Sequence, residues 1–301
     1  MIYDVRQTTT CTYATPVAHA RHVLRLMPIH RAGQRVQVAA LQIVPEPRHR
    51  REGQDFFGNR LTWIEIEEPH ETLTVKLAAR IAVDPSPHPS PDKGDEAAAP
   101  ETPAWEAVRE EAFATSDIGP SSPAHFLFPS RLVSLDPEIR DYARESFPAG
   151  RPVLDAAIEL MNRLKADITY EIGATTVTTT PPMSFALRRG VCQDFAHIMI
   201  SGLRGIGLPA AYVSGYLRTL PRSDASRLQG ADAMHAWAMA WCGSQAGWVG
   251  LDPTNAVVVS DQHVVLAVGR DYTDVAPMDG VILGSGGQRI DVSVNVTPVA
   301  N

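Results

Sequence analysis

Apolar and polar positions change their rhythm twice along the chain. Over the first 83 residues, Tyr3 to Tyr13, Arg21 to Met27, Arg35 to Val44, Arg60 to Glu67 and Thr72 to Val83 are rich in Thr, Val, Ile and Leu with partial two-residue alternation. That period places alternate side chains on opposite faces of a strand. Phe57-Gly58-Asn59-Arg60 has the residues a hairpin turn needs, because Gly and Asn tolerate positive φ. A small antiparallel β sandwich or barrel is expected here.

From Ala104 the spacing becomes three and four, which predicts helices over Ala104 to Ala114, Asp136 to Ser146, Leu154 to Asp167 and Pro182 to Arg189. Asp136-Pro137 reads as a cap followed by a first-turn proline. Cys192 to Ile206 carries Phe195, Ile198, Met199, Leu203 and Ile206 on one stripe, and Gly207-Leu208-Pro209 ends it. Strands are then expected at Ala210 to Arg218, Ala233 to Trp241, Trp248 to Leu251 and His263 to Val268, with a final pair at Val281 to Leu283 and Arg289 to Val296. Helices followed by an antiparallel sheet make an α+β domain. Residues 84–103 hold six of the 24 prolines among Ser, Asp, Glu and Ala, a composition too poor in apolar area to fold alone. The expected organisation is a β-rich domain over 1–83, a Pro-rich acidic linker over 84–103 and an α+β domain over 104–301.

Composition narrows the function classes. With 301 residues, 44% of them apolar and 20% charged, the chain is globular rather than disordered. No stretch approaches the ~20 apolar residues that cross a bilayer, and no leader-like start is seen. The net charge of −7 is uneven: +3 over residues 1–83, −7 over 84–118 and −3 over the rest. The basic residues of the first third alternate with glutamates, so no nucleic acid and no membrane partner is expected. Cys11, Cys192 and Cys242 are too few and too scattered for a disulfide framework, which points to a reducing, cytoplasmic setting.

Three segments carry candidate chemistry. A cysteine acts as a nucleophile through its thiolate, and Cys192 falls in the first turn of its predicted helix, where unpaired N–H groups and the positive dipole end favour an anion. Gly190 allows a sharp entry into that helix. Most lone cysteines merely pack as small hydrophobes, so the neighbours matter. In Met234 to Trp241 the alternation puts His235, Trp237, Met239 and Trp241 on one face and alanines on the other, flat enough to lie on a helix. Alone, His235 would read as a core histidine bonded to a carbonyl. Asp252 follows on the next strand. A two-residue turn at Gly243-Ser244 would set it directly opposite His235, while a five-residue loop would shift it by three places. Asp252-Pro253-Thr254 also reads as a strand-ending turn, compatible with an orienting role. Cysteine on a helix start, histidine on a strand and acid on the next strand is a papain-type order, able to serve as nucleophile, base and orienter.

Residues 188–217, 232–241 and 247–255 resemble the bacterial transglutaminase-like proteins, whose core is similar to papain, and residues 22–29 and 55–75 resemble the β-rich domain that accompanies that core. The resemblance implies a papain-like cysteine hydrolase domain with Cys192 as nucleophile, His235 as base and Asp252 as third member. It further implies a peptide or protein substrate and a protease or amidase activity, with an isopeptide-forming transamidase or a non-catalytic binding protein as rivals. No cofactor is implied. Animal transglutaminases use calcium, but no Asp-x-Asn-x-Asp-Gly loop occurs here.

An oxyanion needs two donors. The Cys192 N–H is the first; Tyr170, near where animal transglutaminases place a tryptophan, is a candidate for the second. Trp237 is a candidate groove wall. His197 points about 140° away from Cys192 around the helix and reads as structural, and Asp194 reads as a dipole partner. Asp261, Asp271, Asp274 and Asp279 lack metal-ligand spacing and read as solvated loop residues, and Cys242 reads as a strand-end thiol without a zinc pair.

Overall fold

The computed structural model describes residues 1–85, 102–218 and 234–299; most of the expected linker therefore lies outside the described residues. The first six strands are β1 (Ile2–Val17), β2 (His19–Leu24), β3 (Gln34–Val44), β4 (His49–Gln54), β5 (Arg60–Ile66) and β6 (His70–Val83). The second half contains α1 (Trp105–Ala114), α2 (Pro137–Arg144), α3 (Val153–Asp167), β7 (Thr169–Tyr170), α4 (Pro181–Leu187), β8 (Arg189–Gly190) and α5 (Cys192–Gly205). It continues through β9 (Ala210–Leu217), β10 (Met234–Trp241), β11 (Trp248–Asp252), β12 (Val257–Val258), β13 (His263–Gly269) and α6 (Tyr272–Val275). The chain ends with β14 (Met278–Leu283) and β15 (Gln288–Pro298).

The N-terminal part is a sandwich of two four-stranded antiparallel sheets, ordered β15-β1-β6-β3 and β14-β2-β5-β4. Alternation drives it: Val5, Cys11, Leu73, Val75, Leu77 and Ile81 turn inward and are buried against Ala20, Leu24, Ile64 and Ile66 of the facing sheet. The connection between β4 and β5 runs over Asp55–Asn59, two residues earlier than the expected Phe57–Arg60 turn and with Arg60 already in β5; Gly58 takes the positive φ, at +80°, and Asn59 N–H donates to Asp55 Oδ1 at 2.9 Å. Strand β4 was not foreseen, because all six of its residues are exposed and it carries no apolar alternation.

The two closing strands correct the expected domain boundary. A contiguous domain over 104–301 would keep them with the helices. Instead β15 pairs with β1 from Tyr3↔Pro298 to Tyr13↔Gln288, and β14 pairs with β2. The chain leaves the α+β half and returns to complete both sheets of the sandwich, so the N-terminal domain is discontinuous. Sequence pattern cannot reveal this, since alternation shows that a strand exists and not which strand it borders.

In the second half, α5 packs on a five-stranded antiparallel sheet ordered β12-β11-β10-β9-β13. Ala236, Ala238 and Ala240 lie against Phe195, Ala196 and Met199 of α5 in one apolar cluster, as their small size predicted. Helix α2 starts at an Asp136 cap whose Oδ1 accepts from the Glu138 and Ile139 N–H groups at 2.9 and 3.1 Å. The sandwich docks on the edge strand β13, whose outer backbone is bonded by two side-chain amides. Gln34 donates to the Val265 carbonyl and accepts from its N–H, both at 2.8 Å. Asn59 does the same for Val268, again at 2.8 Å.

Candidate active site

Cys192 is the first residue of α5, after the cap position Val191. Asp194, three residues on from that cap, reaches back so that its Oδ2 accepts from the Val191 N–H at 2.8 Å and from Thr175 Oγ1 at 2.6 Å. It is thus a cap as well as a dipole partner, and burial pushes its carboxyl up against those hydrogen bonds. The same carboxylate explains Gly190. A Cβ there would stand 2.6 Å from Asp194 Oδ2, so glycine is required for room rather than for a sharp turn. Cys192 is partly exposed, whereas Cys11 and Cys242 are buried. Burial pushes the Cys11 thiol up and the Cys242 thiol up to about 12.

His235 and Asp252 meet, by a register that neither expected turn provides. Strand β10 pairs with β11 from Trp241↔Trp248 to Ala238↔Leu251, which puts Asp252 next to Trp237's position, two places from His235. The carboxylate reaches diagonally, and Asp252 Oδ2 lies 2.8 Å from His235 Nε2. An ionised carboxylate only accepts, so Nε2 carries a proton. Asp252 Oδ2 also accepts from Asn255 Nδ2 at 2.7 Å, while Oδ1 accepts from the Thr254 N–H at 3.0 Å. The turn role and the orienting geometry therefore coexist.

The other ring nitrogen, His235 Nδ1, has no nitrogen or oxygen partner among the described residues, and Cys192 is the remaining side chain acting on the imidazole. Burial pulls the His235 pKa down, but the Asp252 charge and hydrogen bond, with Cys192, outweigh it and raise the value to about 10. Burial works against Asp252's charge too, yet the two histidines hold its carboxyl well below the usual range.

The second of those histidines is His263 on β13, a residue the sequence reading missed. Its Nε2 lies 3.3 Å from the same Asp252 Oδ2, and burial lowers its own pKa despite that carboxylate. Nothing in local spacing marks it; it arrives because β13 follows β9 at the sheet edge. Gly215 on β9 makes room for the cluster. A Cβ there would meet Trp237 Cη2 at 2.5 Å and the Val264 carbonyl oxygen at 2.2 Å, so the indole lies over the glycine and stacks edge-on against His263, ring centres 5.2 Å apart.

Residues 3–82 match the model of the bacterial transglutaminase-like N-terminal region, and residues 140–253 match the transglutaminase-like superfamily core, the span that holds Cys192, His235 and Asp252. An uncharacterized Mycobacterium tuberculosis protein is 36% identical over 300 residues, covering 98% of this chain and 92% of that protein. The chain belongs to the bacterial transglutaminase-like family. The fold is that of a crystallised candidate cysteine protease from Cytophaga hutchinsonii, with a TM-score of 0.75 at 20% identity over 100% of this chain and 92% of that one. A protein-glutamine gamma-glutamyltransferase of Pseudomonas aeruginosa is 29% identical over 146 residues, which are 46% of this chain and 22% of that protein.

In this transglutaminase-like protein the remaining candidates fall as follows. Tyr170 lies on β7, paired with Gly190 of β8 two residues before the cysteine; burial and then the charge of Cys192 raise its pKa. Trp237 is only 1% exposed, so it is no open wall beside the sulfur. It lines a cavity whose walls include His263 but not Cys192, because the register sinks it behind the histidines. His197 is structural as expected: its buried Nε2 accepts from the Tyr272 N–H at 3.2 Å, and burial lowers its pKa to about 4. Asp271 corrects the solvated-loop expectation, being fully buried, capping α6 and accepting from the Leu132 N–H at 2.7 Å. Asp274 is ion-paired with Arg270 at 2.8 Å. Among the described residues no group of three or more His, Cys, Asp or Glu side chains is arranged to hold a metal ion.

Proposed function

We propose that the protein transfers an acyl group from a peptide or protein amide to water through a thioester on Cys192. The observation that carries this reading is the Asp252–His235 hydrogen bond at 2.8 Å, which holds a charged imidazole beside a partly exposed cysteine at a helix start. An imidazolium and a helix N-terminus both favour the thiolate. The sulfur attacks the amide carbon, and the carbonyl π electrons move to oxygen. His235 gives its proton to the leaving nitrogen as the C–N bond breaks. Water then attacks the thioester, His235 accepts its proton, and the carboxylic acid leaves while the C–S bond breaks. The developing oxyanion is served by the Cys192 N–H and, in this proposal, by the Tyr170 hydroxyl. Asp252 fixes the tautomer and stabilises the imidazolium.

The likeness to a protein-glutamine gamma-glutamyltransferase favours a second reading, in which an amine replaces water as acceptor. One experiment tests both. A glutamine-containing peptide library is supplied with and without a primary amine, and products are separated by mass. Free acid in both arms supports hydrolysis, and amine-linked product supports transamidation. Product formed equally by Cys192→Ala overturns both. A cytoplasmic setting is proposed alongside, supported by three unpaired cysteines.

A further inference from the structure

Next to the Asp252 cluster a cavity of about 320 Å³, whose lining does not include Cys192, opens between the sandwich and the sheet. Its walls are largely apolar, with Trp237, Trp248 and Met239 among them, and His263 is also part of the lining. Trp248 has no free polar edge to offer, since its Nε1 donates to the Ser121 carbonyl at 3.0 Å.

Arg31 enters this space from the sandwich side. Its backbone is fixed by a tight turn in which Arg31 and Gln34 exchange N–H donors and carbonyl acceptors at 3.1 and 2.9 Å. Gly33 in that turn sits at φ +77°, and Gln34 is anchored to β13. The guanidinium is therefore delivered by rigid elements. Arg31 is half-buried, and among the described residues its terminal nitrogens meet only the Met239 sulfur, at 3.8 and 3.9 Å. Among the described residues no carboxylate comes within ion-pair distance of it. Asp84 lines the same cavity from its exposed rim but does not reach the guanidinium.

A half-buried guanidinium without a counter-charge is only partly solvated, and such groups are normally paired. A forked donor set facing an apolar chamber is the arrangement that recognises a carboxylate bidentately while the ligand's body packs on aromatic rings. We infer that this cavity is a binding site for a small monocarboxylate with an aromatic or branched apolar body, its carboxylate on Arg31 and its body against the partly exposed Trp248 and Val259. The site is separate from the cysteine and does not depend on the acyl-transfer reading. It shares Trp237 and His263 with the Asp252 cluster, so an occupant stands one residue removed from the group that orients His235.

The test is calorimetric titration of the full chain with phenylacetate, with phenylacetamide as a neutral isostere and phenethylamine as a cationic one. Phenylacetate binds, while the amide and the amine bind at least tenfold more weakly. Arg31→Gln removes phenylacetate binding, and Arg31→Lys retains part of it. Circular dichroism and a cooperative unfolding transition at or above the unmodified chain's midpoint establish that both variants fold. If Arg31→Gln is misfolded, quenching of tryptophan fluorescence by phenylacetate in the unmodified chain serves instead, with the amide giving no quench. Equal affinity for phenylacetate and phenylacetamide, undiminished affinity in folded Arg31→Gln, or no binding of phenylacetate at millimolar concentration overturns the assignment.

Discussion

His263 and His235 place their Nε2 atoms on one and the same oxygen of Asp252, at 3.3 and 2.8 Å. Both must donate, since an ionised carboxylate has no proton to give. Their consequences differ. His235 gains from the charge and becomes the cationic partner; His263 is kept neutral by burial and serves as a fixed donor.

Removing the charge therefore shifts His235 far. In Asp252→Asn burial is opposed by Cys192 alone, and the His235 midpoint falls well below its folded value of about 10. His263→Phe leaves the carboxylate in place and moves the midpoint far less, by roughly one unit or less. NMR titration of nitrogen-labelled histidines checks both. Because the folded-state value is raised, the stability it contributes is fully present below 6.5 and is lost as pH rises toward 10. Alkaline unfolding should be shallower in Asp252→Asn over that window.

Gly215 is the clearance that lets Trp237 reach His263. Gly215→Ala drives a methyl into the Val264 carbonyl and the indole, at a cost of about 3 kcal/mol, the upper end for overpacking. Chemical denaturation measures the loss. Gly58→Ala, at φ +80° with open space around it, is strained only by its backbone and should cost ~1 kcal/mol.

Gln34 and Asn59 stand in for a neighbouring strand along β13. Gln34→Leu leaves the Val265 N–H and carbonyl without their side-chain partner and should destabilise by about 3 kcal/mol. Asn59→Leu should do likewise at Val268. The loss is read in urea unfolding of the whole chain, with the sandwich and the sheet losing protection together in hydrogen exchange.

His197 supplies acid sensitivity unconnected with turnover. Its folded-state pKa of about 4 lies under its ordinary 6.5, so the unfolded state binds more protons between those values and stability falls as pH drops from 6.5 to 4. The loss amounts to roughly 3 kcal/mol. His197→Gln keeps an acceptor for the Tyr272 N–H and should flatten that part of the curve. Unfolding free energies measured from pH 4 to 7 decide it.

Much of this was legible in the chain, for stated reasons. The three-four stripe from Phe195 to Ile206 gave α5 and put Cys192 at its start, and the Ala-x-Ala-x-Ala spacing of β10 found the face that meets that helix. Register was not legible. It depends on the connection between Trp241 and Trp248, and Asp252 came two places from His235 instead of beside it. Residues brought in by topology were also hidden. His263 and Gln34 have no local signature, and β15 looks the same whether it closes the second half or, as it does, the sandwich.

The central claim is that Cys192 carries the acyl group, and quenched-flow mass spectrometry of the protein during turnover on a peptide library tests it most directly. The account predicts an acyl adduct on the peptide spanning Cys192, decaying with the chemical step and absent from Cys11 and Cys242. No adduct at Cys192 while product still accumulates would contradict it.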